Sequence, residues 1–345
     1  MNKKTILITG VAGFIGSNLT TTLLSKYDDA TIIGIDNMNE YYDVELKRHR
    51  LSLLHEKASE SGCVFEFREQ DIGEAEEMHR LFQHFRPNIV VNLAAQAGVR
   101  YSIDHPEEYI RSNIVGFFHI MEACRRYEVE HLVFASSSSV YGGNTKYPFS
   151  EEDPVDQPVS LYAASKKSDE LLAYSYAKLY GIPMTGLRFF TVYGPAGRPD
   201  MAYYKFAEIL KNGGKIQIYN YGNCKRDFTY VDDVVDGILA VMKKPPKGVE
   251  PPYRIYNIGN SSPENLMDFV QILSEELQRC GVLPKDFDMK EHQELVPMQP
   301  GDVPVTFADT TRLEKDFGFA PKTPLRQGLR KFAEWYADFD RTKTI

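Results

Sequence analysis

The first two dozen residues limit what this chain can fold into more than any other stretch. Residues 5–9 are apolar and β-branched, Gly10-Val11-Ala12-Gly13-Phe14-Ile15-Gly16 follows, and residues 17–24 carry helical apolar spacing. A strand, a glycine turn and a helix in that order let the backbone approach a pyrophosphate, whose charge the helix N-terminus meets. Glycines alone also serve plain turns, so the context decides. A second apolar run, residues 31–35, ends at Asp36, about twenty residues beyond the turn. A carboxylate there accepts hydrogen bonds from an adenosine ribose and repels a 2′-phosphate, so NAD is expected rather than NADP. Asn37, Asp71, Ile72 and Asn113 are further cofactor candidates.

The rest of the first half repeats the alternation. Residues 64–67, 89–93 and 131–135 read as buried parallel strands, and residues 44–57, 75–85 and 107–127 as helices between them. The pattern predicts an α/β fold, a Rossmann-like doubly wound parallel sheet. A long helix at 161–180 and a strand at 184–190 follow, after which Gly194, Pro195, Gly197 and Pro199 interrupt the winding. Beyond them come a helix near 201–212, strands near Ile216 and Phe228, a helix at 231–242 and a proline-rich connector at 243–252. The expectation is an NAD-binding domain over 1–190 and a smaller mixed α/β lobe over 191–345, with some later segments returning to the first domain.

With 345 residues the chain needs no metal or disulfide staple. Its formal charge of −8 disfavours nucleic acid as a partner. The four cysteines, Cys63, Cys124, Cys224 and Cys280, lack metal-ligand spacing and read as reduced thiols. No apolar run reaches membrane-spanning length, and a cytoplasmic protein is expected.

Tyr162 and Lys166 stand four residues apart in the long helix, so their side chains share a face. An ammonium beside the phenol, together with a positive nicotinamide, favours the phenolate and makes Tyr162 a base for a hydroxyl proton. Upstream, Ser136-Ser137-Ser138-Ser139-Val140-Tyr141-Gly142 ends a strand on the side where such sheets gather ligands. Hydroxyls there can hold a reacting oxygen.

Taken together, Gly10 to Gly16, Asp36, Leu93-Ala94-Ala95, the serine run, Tyr162 with Lys166, and Leu187-Arg188-Phe189-Phe190 resemble the extended short-chain dehydrogenase/reductase family of NAD-dependent epimerases, over nearly the whole chain. The resemblance implies Ser137, Tyr162 and Lys166 as the catalytic set. It implies cofactor contacts from Gly10, Gly13, Phe14, Ile15, Gly16, Leu93, Ala94, Ala95, Asn113 and Phe190 and from the catalytic Tyr162 and Lys166, and a diphosphate contact from Arg226. It also implies a homodimer.

Within that family, Ala94-Ala95-Gln96-Ala97-Gly98-Val99-Arg100-Tyr101-Ser102, Arg188 to Pro195 and Met298-Gln299-Pro300-Gly301-Asp302-Val303 are similar to the UDP-glucuronate 4-epimerases. Arg100, Ser138, Ser139, Thr191 and Arg198 supply donors suited to a sugar and its carboxylate. Related decarboxylases and dehydratases typically carry an acid immediately before Val140-Tyr141-Gly142, where this chain has Ser139. Gln299 stands where glucose/galactose epimerases often carry a diphosphate-binding arginine. The implied activity is NAD-dependent 4-epimerisation of UDP-glucuronate. A UDP-glucuronate decarboxylase and an epimerase of UDP-glucose or UDP-N-acetylglucosamine stay open, as does a binding protein that senses NAD on the same fold.

Overall fold

The computed structural model describes residues 3–298 and 303–343. Seven strands form one parallel sheet: β1 (Thr5–Thr9), β2 (Thr31–Asp36), β3 (Val64–Glu69), β4 (Ile89–Asn92), β5 (His131–Ser137), β6 (Met184–Phe189) and β10 (Tyr253–Ile258). Their order is β10-β6-β5-β4-β1-β2-β3. The chain winds outward from β1 in both directions, so the connections that leave the paired carboxyl ends of β1 and β4 diverge and open a crevice there. β1 and β4 are rich in Ile, Val and Leu, and they and β6 are buried almost throughout, as a sheet covered on both faces requires.

Helices α1 (Phe14–Lys26), α2 (Val44–Ser59) and α3 (Ala75–Phe85) alternate with the first strands. Two single turns, α4 (Tyr101–Asp104) and α5 (Pro106–Tyr109), lead through a π-helical stretch, Ile110–Gly116, into α6 (Phe117–Arg126), and α7 is Leu161–Tyr180. The helix expected over 107–127 is therefore wound in two registers. π turns cluster at functional sites, and this one carries Asn113.

A second correction concerns β3. It is the edge of the sheet, and Val64 is 58% exposed. Glu66, Arg68 and Glu69 put charge along it and oppose pairing with another sheet edge.

After β6 the chain builds two small sheets. β7 (Thr191–Tyr193), β9 (Lys225–Tyr230) and β11 (Pro263–Asn265) form one, and β8 (Ile216–Ile218) with β12 (Gln293–Leu295) the other. α8 (Ala202–Lys211), α10 (Leu266–Arg279) and α12 (Leu325–Lys343) pack in this part, with α10 lying along α12. α9 (Val231–Met242) instead packs on α1, α11 (Thr311–Phe317) packs on β10, and β10 joins the large sheet beside β6. The later chain thus returns to the large sheet and its helices at these elements.

One buried hydroxyl fixes the crevice. Thr9 Oγ1 donates to Asn92 Oδ1 at 2.7 Å and accepts from the backbone N–H groups of Leu93 and Ala94 at 3.1 and 3.0 Å. It ties the end of β1 to the turn after β4. Thr9→Val keeps the shape but takes this partner from Asn92 Oδ1 and the Ala94 N–H, while the Leu93 N–H keeps the Thr9 carbonyl at 3.3 Å, so it should cost about 2 kcal/mol of stability in urea denaturation; an unchanged midpoint would contradict this role.

Candidate active site

The crevice widens into a cavity of about 1100 Å³ at the carboxyl ends of the strands. Its floor is the glycine turn. Gly10 has φ +69°, and a Cβ on it would lie 2.8 Å from the Ala94 nitrogen; one on Gly16 would lie 2.2 Å from the Gly10 carbonyl oxygen. A side chain at either position would collide with the chain's own backbone, so the turn packs this closely only with glycine there. Arg50 is 1% exposed and braces the turn from behind. Its guanidinium donates to the Ala12 carbonyl at 2.8 Å and to the Ala196 and Gly197 carbonyls at 2.8 and 3.0 Å. One side chain therefore holds both the glycine turn and the loop after β7.

Gly10, Gly13, Phe14, Ile15, Gly16, Asp36, Asn37, Asp71, Ile72, Leu93, Ala94, Ala95 and Phe190 all line this cavity. Asp36 Oδ1 accepts from the Met38 N–H at 2.9 Å and lies 3.5 Å from Lys47 Nζ, both side chains being buried. Lys47 in turn donates to the Asn39 carbonyl and to Asn39 Oδ1, each at 2.9 Å. Asp71 faces the cavity with both carboxylate oxygens in use. Oδ1 accepts from the Gly73 N–H, while Oδ2 accepts from Asn37 Nδ2 and pairs with Arg111. Asp71 shapes the wall by holding Asn37.

Asn113 lies behind the wall, 1% exposed, and Ser112 is the residue of that stretch that reaches the cavity. Its amide exchanges hydrogen bonds with the Gln96 backbone at 2.8 and 3.0 Å and donates to Ser165 Oγ at 2.9 Å. Tyr109, just before the π stretch, donates to the carbonyls of Ala97 and Gly98. Both residues pin the 95–98 segment against α7.

Ser137, Tyr162 and Lys166 meet in the same cavity. Ser160 caps α7 by accepting from the Ala163 N–H at 3.1 Å, which sets Tyr162 in the first turn. Lys166 is buried one turn further on, and its Nζ donates to Asp169 Oδ2 at 3.1 Å. Ser137 Oγ accepts from the Ser139 N–H at 3.2 Å, which leaves its O–H to donate toward a ligand. A buried network stiffens the serine turn from below. Arg188 forks onto Glu170 at 2.8 and 2.9 Å and reaches the Tyr141 hydroxyl at 3.0 Å, and that hydroxyl donates to Asn257 Oδ1 at 2.7 Å.

Arg100, Ser138, Ser139, Thr191, Arg198 and Arg226 line the other half of the cavity. The Arg100 guanidinium lies 5.0 Å from the Tyr219 ring centre, a cation–π contact that bridges the two halves. Arg226 donates to the carbonyls of Lys225 and Pro304 at 3.1 Å. Ser139 Oγ is buried without a hydrogen-bond partner, so a ligand acceptor placed there gains a donor already freed from water. Of the stretch 298–303, residues 299–302, including Gln299, lie outside the described residues.

Sequence reasoning passed over Thr9, Tyr41, Lys47, Arg50, Gln96, Asp169 and Asp200. Two had a legible signal: Lys47, a basic residue near the start of the helix that follows the Asp36 loop, and Asp169, three residues after Lys166 in one helix. The others act through contacts between segments far apart or in turns, which periodicity does not report.

A dinucleotide cradle facing a Ser, Tyr and Lys set across one crevice is the site of a short-chain dehydrogenase/reductase. The comparisons with known proteins are specific. A sequence model of the NAD dependent epimerase/dehydratase family matches residues 6–259, and the chain belongs to that family. It is 46% identical to the protein CapI of Staphylococcus aureus, over 97% of this chain and 98% of that one. It is 43% identical to UDP-glucuronate 4-epimerase 4 of Arabidopsis thaliana, over 98% of this chain and 76% of the relative. The crystal structure of a Bacillus cereus UDP-glucuronic acid 4-epimerase in complex with UDP-glucuronic acid and NAD superposes with a TM-score of 0.84 at 28% identity, covering 97% of this chain and 99% of that one.

The Lys166–Asp169 pair has a pH signature. Burial pushes the Asp169 carboxyl up to about 7, against the opposing pull of Lys166. An aspartate in an unfolded chain titrates near about 4. Between those values the native state keeps a proton that the unfolded chain has lost, so this group's contribution to stability falls as pH rises through the window. Asp169→Asn does not titrate, so its melting temperature should gain on the parent's between about pH 5 and about pH 8. A difference that stays constant with pH would contradict this.

Proposed function

We infer that this chain is an NAD-dependent UDP-glucuronate 4-epimerase, interconverting UDP-glucuronate and UDP-galacturonate through a 4-keto intermediate. The observation that carries the reading is convergence: the dinucleotide cradle, the Ser137, Tyr162 and Lys166 set and the hydroxyls of Ser138, Ser139 and Thr191 all face one cavity.

The glycine turn, Asp36, Asn37, Ile72, Leu93 to Ala95 and Phe190 would hold NAD, and the close backbone approach at Gly10 and Gly16 fits its pyrophosphate. When bound, NAD supplies the hydride acceptor at the sugar's C4 and gives the hydride back to the opposite face, so no net oxidation results. Tyr162 takes the proton from the 4-hydroxyl, and Ser137 donates a hydrogen bond to the same oxygen. The Lys166 ammonium balances the phenolate charge. Arg226 and the Arg100 side anchor the diphosphate while the keto sugar turns over, and Tyr162 returns the proton to the new 4-oxygen. A 4-keto uronic acid is a β-keto acid, prone to lose carbon dioxide. Ser138, Ser139 and Thr191 can donate to the carboxylate and keep its charge localised, which opposes that loss.

We propose that the active form is a homodimer. The helical pair α6 and α7, with the π stretch, exposes Val115, Phe118, Leu171 and Leu179, and Leu171 is 59% exposed. Apolar residues on neighbouring helices make a surface suited to a second copy. The four cysteines are free thiols, in keeping with the reducing cytoplasm proposed as its location. Among the described residues no helix is long and apolar enough to cross a membrane.

Incubation with UDP-glucuronate, with product analysis by chromatography and mass spectrometry, should give UDP-galacturonate at unchanged mass. A lighter UDP-pentose would make the protein a decarboxylase and contradict the reading. Tyr162→Phe should lower kcat by at least about a hundredfold while NAD stays bound; activity near the parent's would remove Tyr162 from the chemistry. Leu171→Glu should shift the protein from dimer to monomer in sedimentation equilibrium, and an unchanged mass would place any interface elsewhere.

A further inference from the structure

Arg198 and Asp200 stand two residues apart in the loop after β7, and both line the cavity. Arg198 Nε donates to Asp200 Oδ1 at 2.9 Å, and Nη2 donates to Oδ2. The planar fork that would suit a ligand carboxylate is thus filled by a carboxylate of the chain itself. Tyr41, from the loop between β2 and α2, donates to Asp200 Oδ2 at 3.1 Å and packs edge-on against Tyr101 at 4.8 Å. Burial pushes the Asp200 carboxyl up, but the Arg198 guanidinium overrides this and holds it below the usual carboxylate range. Tyr162 and Thr191, assigned to the sugar above, line the same cavity as the pair.

Resting on the epimerase reading, we propose that Asp200 is a specificity-determining positioning residue that occupies the fork of Arg198, so that the sugar carboxylate is held by hydroxyls and released as the ring turns over. The chemistry of the reaction requires a weak grip. The diphosphate stays anchored while the keto sugar presents its other face, so every contact to the carboxylate must break and re-form in each turnover. Charge-assisted bidentate bonds are roughly twice as strong as neutral ones, and a grip that must be undone before turnover slows it by the same factor by which it tightens binding. Ser138, Ser139 and Thr191 offer neutral donors. With Asp200 in place, Arg198 adds shape and little net charge. Without that countercharge, the guanidinium would clamp the acid in one orientation. The same pairing explains how a cavity holding an arginine at its sugar end avoids trapping its own substrate.

The test compares the parent with Asp200→Asn and Asp200→Glu, all loaded with NAD. Calorimetry gives the affinity for UDP-glucuronate and for UDP-glucose, and product analysis gives kcat. Asp200→Asn should bind UDP-glucuronate on the order of tenfold more tightly with kcat on the order of tenfold lower, and should bind UDP-glucose as the parent does. Asp200→Glu, which keeps the charge, should restore both values. Tyr41→Phe, which loosens the pair without breaking it, should move in the same direction by a smaller factor. Equal changes for the acid and the neutral sugar, or weaker binding of both with a lowered melting temperature, would overturn the proposal and leave Asp200 a structural residue. A parent enzyme that fails to convert UDP-glucuronate would sink the functional reading itself, an outcome visible before any variant is made.

Discussion

The whole arrangement depends on how closely the backbone of the glycine turn approaches the turn after β4. Gly10 sits where a side chain would collide with the Ala94 nitrogen, and Thr9 holds the two strand ends together through three hydrogen bonds. Because β1 and β4 carry the chain away in opposite directions, their carboxyl ends cannot be bridged by a short connection. The crevice that results is a necessity of the topology. Loops from both halves then converge on it, and the returning segments α9 and β10 brace the sheet that carries it.

The second governing feature is the pairing of buried charge. Lys47 lies beside Asp36, Lys166 beside Asp169 and Arg188 beside Glu170, all buried, while the Arg198 and Asp200 pair is only partly covered. Each pair carries a desolvation cost that its Coulomb attraction offsets only with good geometry, so these pairs are poor candidates for sources of stability. Their value is positional. They fix the ammonium beside Tyr162, hold the serine turn rigid and leave the sugar end of the cavity rich in neutral donors. An epimerase needs this combination, because it must recognise one sugar in two orientations and hold an intermediate that loses carbon dioxide readily.

Much of this was legible in the residues. β1, β2 and β4 are buried β-branched runs, β5 and β6 are shorter apolar runs, and the glycine spacing with Asp36 marks the expected cradle. β3 was misread as buried, although Glu66, Arg68 and Glu69 already carried the charge of an edge strand. The π register at Asn113 escaped the reading because apolar spacing over seven residues does not separate an i+5 turn from an i+4 turn. From the sequence, Arg198 stands in a Gly/Pro-rich loop and reads as a donor for the sugar carboxylate. Its partner Asp200, two residues on, has no periodic signature, and only the three-dimensional structure shows Tyr41 reaching across to the same carboxylate. Local pattern therefore located the cradle and the catalytic helix, and the contacts between loops that tune them had to be seen.

The central claim is that a single hydrogen leaves C4 of the sugar and returns to the same carbon from the other side within one cavity. UDP-glucuronate carrying deuterium at C4, converted in ordinary water and followed by mass spectrometry and NMR, tests it directly. The account predicts UDP-galacturonate with the deuterium still on C4. Loss of the label to solvent would mean that the hydrogen leaves as an exchangeable proton, and the oxidation and return at C4 described here would be wrong.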